Sequence, residues 1–258
     1  MIAAADLPEL PPGSPADSIE RLSALTDLLA ADASAPSSVR DRRKVWKVHI
    51  ADALSGFAAP PLAAAARMRD SQQPARGARI CDVGAGAGLP GLVLAVVLPL
   101  VHVDLLEATS RKCEFIARAV GVAGANNASV VCERAETWAA GEGPGGSRQA
   151  QPSEARESYD VVTARAVGRL EMLAELASPL LREGAALVAW KGDRDLDEEA
   201  ELERAGASLA MRTSAVIPVV PYAGSQRRHL HVVEKTGPTP ARLPRRPGMA
   251  KKRPLSRA

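Results

Sequence analysis

Short apolar runs alternate with amphipathic helical segments from about residue 78 onward. The runs with a strand pattern lie at residues 80–83, 101–106, 129–132, 159–163 and 185–190. Strands that are apolar on both faces and separated by helices are typical of a parallel sheet covered by helices on both sides. The pattern therefore predicts an α/β domain over residues 71–236.

The first 70 residues carry a different, purely helical pattern. One set of apolar residues at helical spacing consists of Ile19, Leu22, Leu25, Leu28 and Leu29. A second set consists of Val45, Trp46, His49, Ile50 and Leu54. These spacings predict a helical N-terminal extension over residues 1–70.

Two segments outside this alternation complete the α/β domain. A final strand at residues 230–233 follows a loop that contains Pro218, Pro221 and Gly224, so we expect the sheet to end in an antiparallel hairpin. Residues 139–158 are rich in Gly, Ser, Glu and Gln and have no hydrophobic period. We expect them to form a flexible insertion.

The formal net charge of +3 is unevenly distributed along the chain. Residues 237–258 carry seven basic side chains, five prolines and no acid, which leaves 26 basic and 30 acidic residues, a net charge of −4, in residues 1–236. A short basic segment buries too little apolar surface to offset the entropy of ordering it, so we expect a disordered basic tail. Such a tail either only keeps the protein in solution or binds a polyanion, for which nucleic acid is the first candidate.

The patterns of cysteine, histidine and hydrophobicity exclude several classes of protein. Cys81, Cys113 and Cys132 are too few and too widely spaced for a disulfide framework or a CxxC metal site, which favours the reducing cytoplasm. The four histidines show no metal-ligand spacing, so we predict no metal. The longest apolar stretch, residues 89–101, is well short of the roughly 20 residues that cross a bilayer. The N-terminus begins with acids rather than a basic secretory signal, so we expect a cytoplasmic protein without membrane contact.

The most informative stretch is ICDVGAGAGLPG at residues 80–91. It combines a strand, glycines at positions 84, 86 and 88, and a helix that can begin near Pro90. Glycines allow a sharp turn and a close approach of the backbone to a ligand, and the helix start offers free N–H donors. The next strand ends at Glu107, about 20 residues after Gly86, where a carboxylate can accept both hydroxyl protons of a ribose. We therefore expect a nucleotide-like ligand.

The identity of that ligand depends on Asp82. Residues 86–91 also fit the pattern GxGxxG, so a nicotinamide-dependent oxidoreductase is one alternative. A carboxylate at the end of the first strand would repel a pyrophosphate but attract an ammonium or sulfonium group. It favours S-adenosylmethionine (SAM), which carries both cations and no phosphate. The other interpretation of Asp82 is a carboxylate that caps a turn or the following helix.

The motifs taken together resemble a known family. DVGAGAGLPG is followed by LLEATSRKCEF, ERAETW, YDVVTARAVGRLEML, AWKG and RRHLHVV. This series is similar to the RsmG (GidB) family over about residues 45–236, and residues 49–54 resemble its His-x-x-Asp-Ser helix with Ala53 in place of Ser. The resemblance implies a Rossmann-like class I SAM-dependent methyltransferase. In this family the methyl group goes to N7 of a guanine in 16S ribosomal RNA of the small subunit.

The resemblance also implies which residues hold SAM. It adds Gly84 and Leu89 in the glycine motif, Glu107, the adenine-flanking pair Ala135 and Glu136, and Arg165 after the fourth strand. With Asp82 and Gly86, these are the predicted cofactor-binding residues. Arg165 would hold the methionine carboxylate or an RNA phosphate, and Lys191 matches a strand-end lysine of the family. The insertion, the long tail and Asp193, where many members have Gln, depart from the family pattern.

No catalytic residue is assigned, because guanine N7 has an in-plane lone pair and no proton to lose. Rate would come from aligning N7 with the methyl group and the sulfur. N7 faces the major groove of A-form RNA, which side chains cannot enter, so we expect the target guanine in an opened loop. Candidate phosphate contacts, each of which could equally be a solvated helix face, lie at residues 40–47, 111–112 and 227–228.

Two further classes stay open beside the oxidoreductase. One is a methyltransferase of the same fold that acts on a protein or a small molecule. The other is a non-catalytic RNA-binding assembly factor that binds ribosomal RNA but has no affinity for SAM. A SAM-binding measurement separates the assembly factor from the methyltransferases. A titration with NAD tests the oxidoreductase, and a transfer assay that offers each substrate separates the two kinds of methyltransferase.

Overall fold

A computed structural model describes residues 9–67, 77–141 and 155–257. Within these residues, seven strands form one sheet in the order β3-β2-β1-β4-β5-β7-β6. The strands are β1 (Arg79–Val83), β2 (His102–Leu106), β3 (Ala128–Val131), β4 (Tyr159–Arg165), β5 (Leu181–Lys191), β6 (Met211–Val219) and β7 (Arg228–Lys235). The first five are parallel, whereas β7 is antiparallel to both β5 and β6. The predicted α/β class and closing hairpin are confirmed, although β6 includes Pro218, which the sequence pattern places in a loop.

Helices cover both faces of the sheet. In the described part of the chain they are α1 (Ser18–Ala31), α2 (Arg42–Val45), α3 (Asp52–Leu54), α4 (Pro60–Arg67), α5 (Gly91–Val97), α6 (Ser110–Val122), α7 (Ala135–Ala140), α8 (Leu170–Ala177), α9 (Leu196–Leu209) and α10 (Met249–Lys252). A π-helical turn, Trp46–Ala51, joins α2 to α3, and 3-10 turns form at Ser55–Ala58 and Leu255–Arg257.

The strands divide their side chains between two apolar cores. Along β5, Ala186 and Val188 belong to one buried cluster, and Leu187 and Ala189 belong to the other. This alternation follows from the two-residue period of a strand. The first cluster joins the sheet to α1, α5 and α6, and the second joins it to α7, α8 and α9.

The N-terminal helices share the first of these cores. Leu22, Leu25 and Leu29 on α1 are fully buried in the cluster that contains α5 and α6. The guanidinium group of Arg21 donates to the carbonyl oxygens of Ala123 (2.8 Å) and Gly124 (2.7 Å), just after α6. A cation at this helix end satisfies carbonyls that have no partner within the helix. The extension is thus packed onto the α/β domain.

Residues 237–257 differ from the expected disordered basic tail. Leu243 and Ala250 are buried, and the segment packs against α8 and α9. On its own the segment has too little apolar surface to fold, but acids of the folded domain pair with it. Arg245, for example, forms two hydrogen bonds with the carboxylate of Glu175, at 2.7 and 2.5 Å.

The end of the predicted insertion is also packed. Residues 142–154 lie outside the described residues, but Ala155 is fully buried. The carboxylate of Glu157 accepts a hydrogen bond from Nζ of the buried Lys235 (2.8 Å) and one from the N–H of Thr239 (2.8 Å). The segment after residue 154 therefore belongs to the folded domain.

Two of the three cysteines form a disulfide, which the sequence spacing did not predict. Cys113 on α6 and Cys132 after β3 are bonded, with their Cα atoms 5.8 Å apart. Their separation of 19 residues is unlike any short cysteine motif. The fold nevertheless brings them together, because α6 returns the chain from β2 to its parallel neighbour β3. Cys81 is a buried free thiol.

Candidate cofactor site

The glycine loop between β1 and α5 comprises residues 84–90. Gly84, Gly86 and Gly88 have positive φ angles of 71°, 61° and 84°, a region that other residues rarely adopt. A Cβ atom on Gly84 would also lie 2.6 Å from the Val167 side chain. The loop thus fits closely against the segment that follows β4, at the carboxyl ends of the central parallel strands. Ligands of open α/β sheets bind at this edge.

Asp82 lies beneath this loop. Its carboxylate accepts hydrogen bonds from the N–H of Gly91 (2.9 Å) and from the hydroxyl of Thr163 (2.8 Å), and the side chain is fully buried. Burial raises the pKa of Asp82 to about 6. A Cβ atom on Gly91 would lie 2.7 Å from the Cβ of Asp82, so a glycine is required at this helix start. The geometry matches the capping interpretation of Asp82.

A cavity of about 370 Å³ opens beside the loop. It is lined by Val83, Gly84, Leu106, Glu107, Ala108, Lys112, Glu133, Arg134, Ala135, Glu136, Ala166, Val167, Met172, Leu176, Gly248, Ala250 and Lys251. The volume falls in the range of about 300–1,000 Å³ typical of small-molecule sites. Its wall combines apolar side chains with a few carboxylates and amines, the composition expected around a nucleoside.

Glu107 at the end of β2 is held firmly in this wall. Its Oε2 accepts from the N–H of Gly86 (3.1 Å), and its Oε1 accepts from the N–H of Thr109 (2.9 Å). Nζ of Lys112 lies 3.7 Å from Oε2. Each carboxylate oxygen can accept more than one hydrogen bond, so both can still bind ribose hydroxyl groups. The residue therefore fits the role that the sequence predicts.

Glu136 provides a second buried carboxylate at the start of α7. Its Oε1 accepts a hydrogen bond from the N–H of Gly248 (2.8 Å). Its Oε2 accepts none from the described residues, so it can accept one from an exocyclic amine such as that of adenine. The cavity and these two carboxylates fit the adenosine part of SAM.

A second polar cluster, the Arg165 cluster, lies at the ends of β4 and β5. The Arg165 guanidinium donates to the carboxylate of Asp52 (2.9 Å) and approaches Nδ1 of His49 at 3.5 Å. Because a guanidinium can only donate, Nδ1 accepts and Nε2–H donates to the Ser37 hydroxyl (2.8 Å). Burial and the Arg165 charge lower the pKa of His49 to about 4, so His49 is neutral at pH 7. Lys191 donates to Glu198 (2.7 Å).

The structure brings together half of the predicted cofactor residues. Gly84, Glu107, Ala135 and Glu136 line the cavity. Gly86 and Leu89 belong to the glycine loop but are not among the lining residues, and neither are Asp82 and Arg165. Both of these charged side chains instead make hydrogen bonds within the protein. Arg165 connects β4 to the N-terminal helices.

The sequence reasoning missed several lining residues. Gly248, Ala250 and Lys251 come from the tail that we expected to be disordered. Ala166 lines the cavity with a positive φ of 58°, a conformation uncommon for a residue with a side chain. The sequence reasoning named its neighbour Arg165 but did not single out this position. Nothing in the sequence pattern predicted that the tail lines the cavity.

The described residues as a whole contain no candidate membrane-spanning helix and no candidate metal site. None of the helices there is both long and apolar enough to cross a membrane. No group of three or more His, Cys, Asp or Glu side chains in that part of the chain is arranged to hold a metal ion.

The sheet order, the glycine loop after β1 and the acid at the end of β2 define the class of SAM-dependent methyltransferases. The solved structure of a mutant of MtNAS in complex with S-adenosylmethionine shares the fold, with a TM-score of 0.51 and 14% identity over 84% of this chain and 72% of that chain. The sequence model of the GidB family, rRNA small subunit methyltransferase G, matches residues 36–230. The chain belongs to this family.

Individual relatives agree with the family assignment. Ribosomal RNA small subunit methyltransferase G of Chloroflexus aggregans is 38% identical over 220 residues, which cover 85% of this chain and 82% of the relative. The protein with the same name from Limosilactobacillus fermentum is 33% identical over 224 residues, with the same two coverages. The resemblance predicted from the motifs is confirmed.

Proposed function

We propose that this protein transfers the methyl group of SAM to N7 of a guanine in 16S ribosomal RNA. The observation that carries the proposal is the cavity beside the glycine loop, whose wall includes the carboxylates of Glu107 and Glu136 as acceptors for a ribose and an adenine. The substrate follows from the family to which the chain belongs. The natural partner is then 16S ribosomal RNA in the small subunit or its precursor, and the place of action is the cytoplasm.

Five cavity residues have a binding role in this proposal. Glu107 accepts the ribose hydroxyl protons and is itself held by the loop N–H of Gly86. Glu136 and the backbone N–H of Ala135 read the edge of adenine. Met172 and Leu176 on α8 supply apolar surface and exclude water from the bound base.

The chemistry requires no general base. When bound, SAM supplies a methyl group on a positively charged sulfur, and guanine N7 offers a lone pair without a proton to remove. The protein therefore contributes alignment at near-attack distance, about 3–3.5 Å, and a fixed polar environment. His49 agrees with this requirement because it is neutral and both of its ring nitrogens make hydrogen bonds within the protein.

Arg165 and Lys191 act mainly by positioning. Arg165 is bound to Asp52 and holds the π-helical turn and α3 against the end of β4. Lys191 is bound to Glu198 and to the carbonyl oxygen of Gly168 (3.0 Å), so it fixes the loop after β4. Phosphate contacts fall instead to exposed cations such as Arg43, Lys44 and Arg111.

The test is methyl transfer to defined particles. The purified protein is incubated with methyl-labelled SAM and 30S subunits that lack base methylation, and the label is mapped by nuclease digestion and mass spectrometry. We expect N7-methylguanosine at one position of 16S ribosomal RNA. Label on a ribosomal protein, on another RNA atom, or on nothing despite measurable SAM binding would refute the proposal.

A pair of variants on neighbouring elements controls this experiment. Glu107→Gln should reduce labelling, whereas Glu114→Gln, an exposed change on α6, should not. A protein that binds 16S ribosomal RNA but has no affinity for SAM would instead be the assembly factor considered above.

A further inference from the structure

The C-terminal strap, residues 243–257, forms part of the cofactor cavity although it lies beyond the residues that match the family model, 36–230. Gly248, Ala250 and Lys251 line the cavity beside Met172 and Leu176 of α8. We propose that the strap is a wall of the SAM site and that it positions Glu136 for adenine. The inference rests on the proposed cofactor but not on the proposed RNA substrate.

Three buried carboxylates on α7 and α8 have their partners in the strap. Glu175 is bound by both arms of the Arg245 guanidinium, and Glu171 accepts from the N–H (2.7 Å) and hydroxyl (2.6 Å) of Ser256. Glu136 accepts from the N–H of Gly248. A buried carboxylate without a partner is costly, so this acidic surface is complementary to the strap and would be unfavourable without it.

Contacts at both ends also hold the strap in place. Nη1 of Arg245 donates to the carbonyl oxygen of Arg253 (2.9 Å), so one side chain binds both α8 and the far end of the strap. Leu243 is buried in the core beneath, and its carbonyl oxygen accepts from Arg156 (3.1 Å). The segment between these anchors, with Gly248 at φ 81°, is held over the cavity.

The position of Gly248 gives the strap a specific effect on SAM. Its N–H fixes one oxygen of Glu136 and leaves the other able to accept from the adenine amine. An ordered carboxylate binds more tightly than a free one because no rotamer freedom is lost on binding. Releasing the strap removes this order together with one wall of the cavity. We expect the dissociation constant for an adenosine ligand to rise about tenfold or more.

The experiment measures binding of S-adenosylhomocysteine by calorimetry without RNA. Arg245→Glu places a carboxylate against Glu175 and should release the strap, and the matched control Arg246→Glu changes the same charge at an exposed position within the strap. Release is monitored by tryptic cleavage after the exposed Lys251 and Lys252. We expect faster cleavage and weaker binding for Arg245→Glu only.

A second pair of measurements separates positioning from general folding. In a Glu136→Ala background, strap release should weaken binding by a smaller factor than in the wild type, because the carboxylate that it positions is gone. In the wild-type protein, saturating S-adenosylhomocysteine should slow cleavage after Lys251 and Lys252, since coupling between two sites is reciprocal.

Several outcomes would overturn the proposal. One is a folded Arg245→Glu protein with a released strap and wild-type affinity, and another is equal cleavage with and without ligand. The latter needs no variant, so it decides the question even if Arg245→Glu fails to fold. Absence of RNA methylation by a wild-type protein that binds S-adenosylhomocysteine would count against the proposed substrate and leave the strap proposal unaffected.

Discussion

Asp82→Asn distinguishes a carboxylate that holds the glycine loop from one that attracts the cations of SAM. An asparagine has the same shape, can accept from the N–H of Gly91 through its amide oxygen and can donate to the hydroxyl of Thr163. It cannot ionise. If Asp82 is structural, the variant keeps the loop and binds S-adenosylhomocysteine with an affinity within about threefold of the wild type, because one or two neutral hydrogen bonds replace charged ones.

The stability of this variant follows from the pKa of Asp82. Burial raises that pKa from 3.8 to about 6, so the stability associated with the protonated group is complete below pH 3.8 and is lost as the pH rises through 6. At 1.36 kcal/mol per pKa unit, the ionised carboxylate costs the folded state about 3 kcal/mol above pH 7 and about 1 kcal/mol at pH 4.5. The asparagine avoids this cost.

The assay is urea unfolding of both proteins at pH 4.5 and pH 8, followed by tryptophan fluorescence. We expect the unfolding free energy of Asp82→Asn relative to wild type to increase by about 2 kcal/mol between the two pH values. The exposed Asp17→Asn is the matched control and should show no such change. A constant stability difference combined with a large loss of ligand affinity would refute the structural role and restore the direct contact with SAM.

Three further predictions concern the cavity and the Arg165 cluster. Glu107→Gln should raise the dissociation constant for S-adenosylhomocysteine about tenfold or more in calorimetry, because bonds to a charged acceptor are lost, whereas equal constants for it and Glu114→Gln would contradict the ribose role. Arg165→Ala should lower the unfolding free energy by about 3 kcal/mol, since it leaves the buried Asp52 unpaired. The double variant Arg165→Ala/Asp52→Ala should recover part of this loss. Strictly additive effects of the two substitutions would contradict a direct ion pair. His49 binds a proton near pH 6.5 when unfolded but only near pH 4 when folded, so the unfolding free energy should fall as the pH drops through this window, and His49→Gln should flatten that part of a urea-unfolding pH profile.

The sequence pattern predicted the sheet well because each strand carries its signal locally. Residues 80–83 and 185–190 are apolar on both faces, which is what burial between two helical layers requires. The glycine loop could also be predicted from the sequence, since positive φ angles at alternating positions favour glycine. The exception was β6, in which Pro218 suggested a loop. At an edge strand a proline is tolerated, because the outer side of the strand needs no N–H donor.

The direction of polar side chains could not be predicted in the same way. Asp82 stands at a position where a carboxylate can face either the ligand or the start of α5, and the choice depends on Thr163 across the neighbouring strand β4. Arg165 and Asp52 are 113 residues apart, and no local pattern connects them. For Asp82 and Arg165, charge alone suggested contact with a ligand, whereas their hydrogen-bond partners in the structure are other residues of the protein.

The tail shows why composition misleads when a segment is judged in isolation. Seven basic residues and five prolines cannot build a core, yet only a few apolar contacts are needed once the rest of the chain provides both surface and charge. The first 236 residues carry a net charge of −4, and three of their acids, Glu136, Glu171 and Glu175, are buried against the strap. The acidic excess of the domain and the basic excess of the tail therefore partly compensate each other, although they lie far apart in the sequence. Because the contacts between them border the cavity, a change in the charge of the tail should affect cofactor binding more than it affects the fold of the sheet.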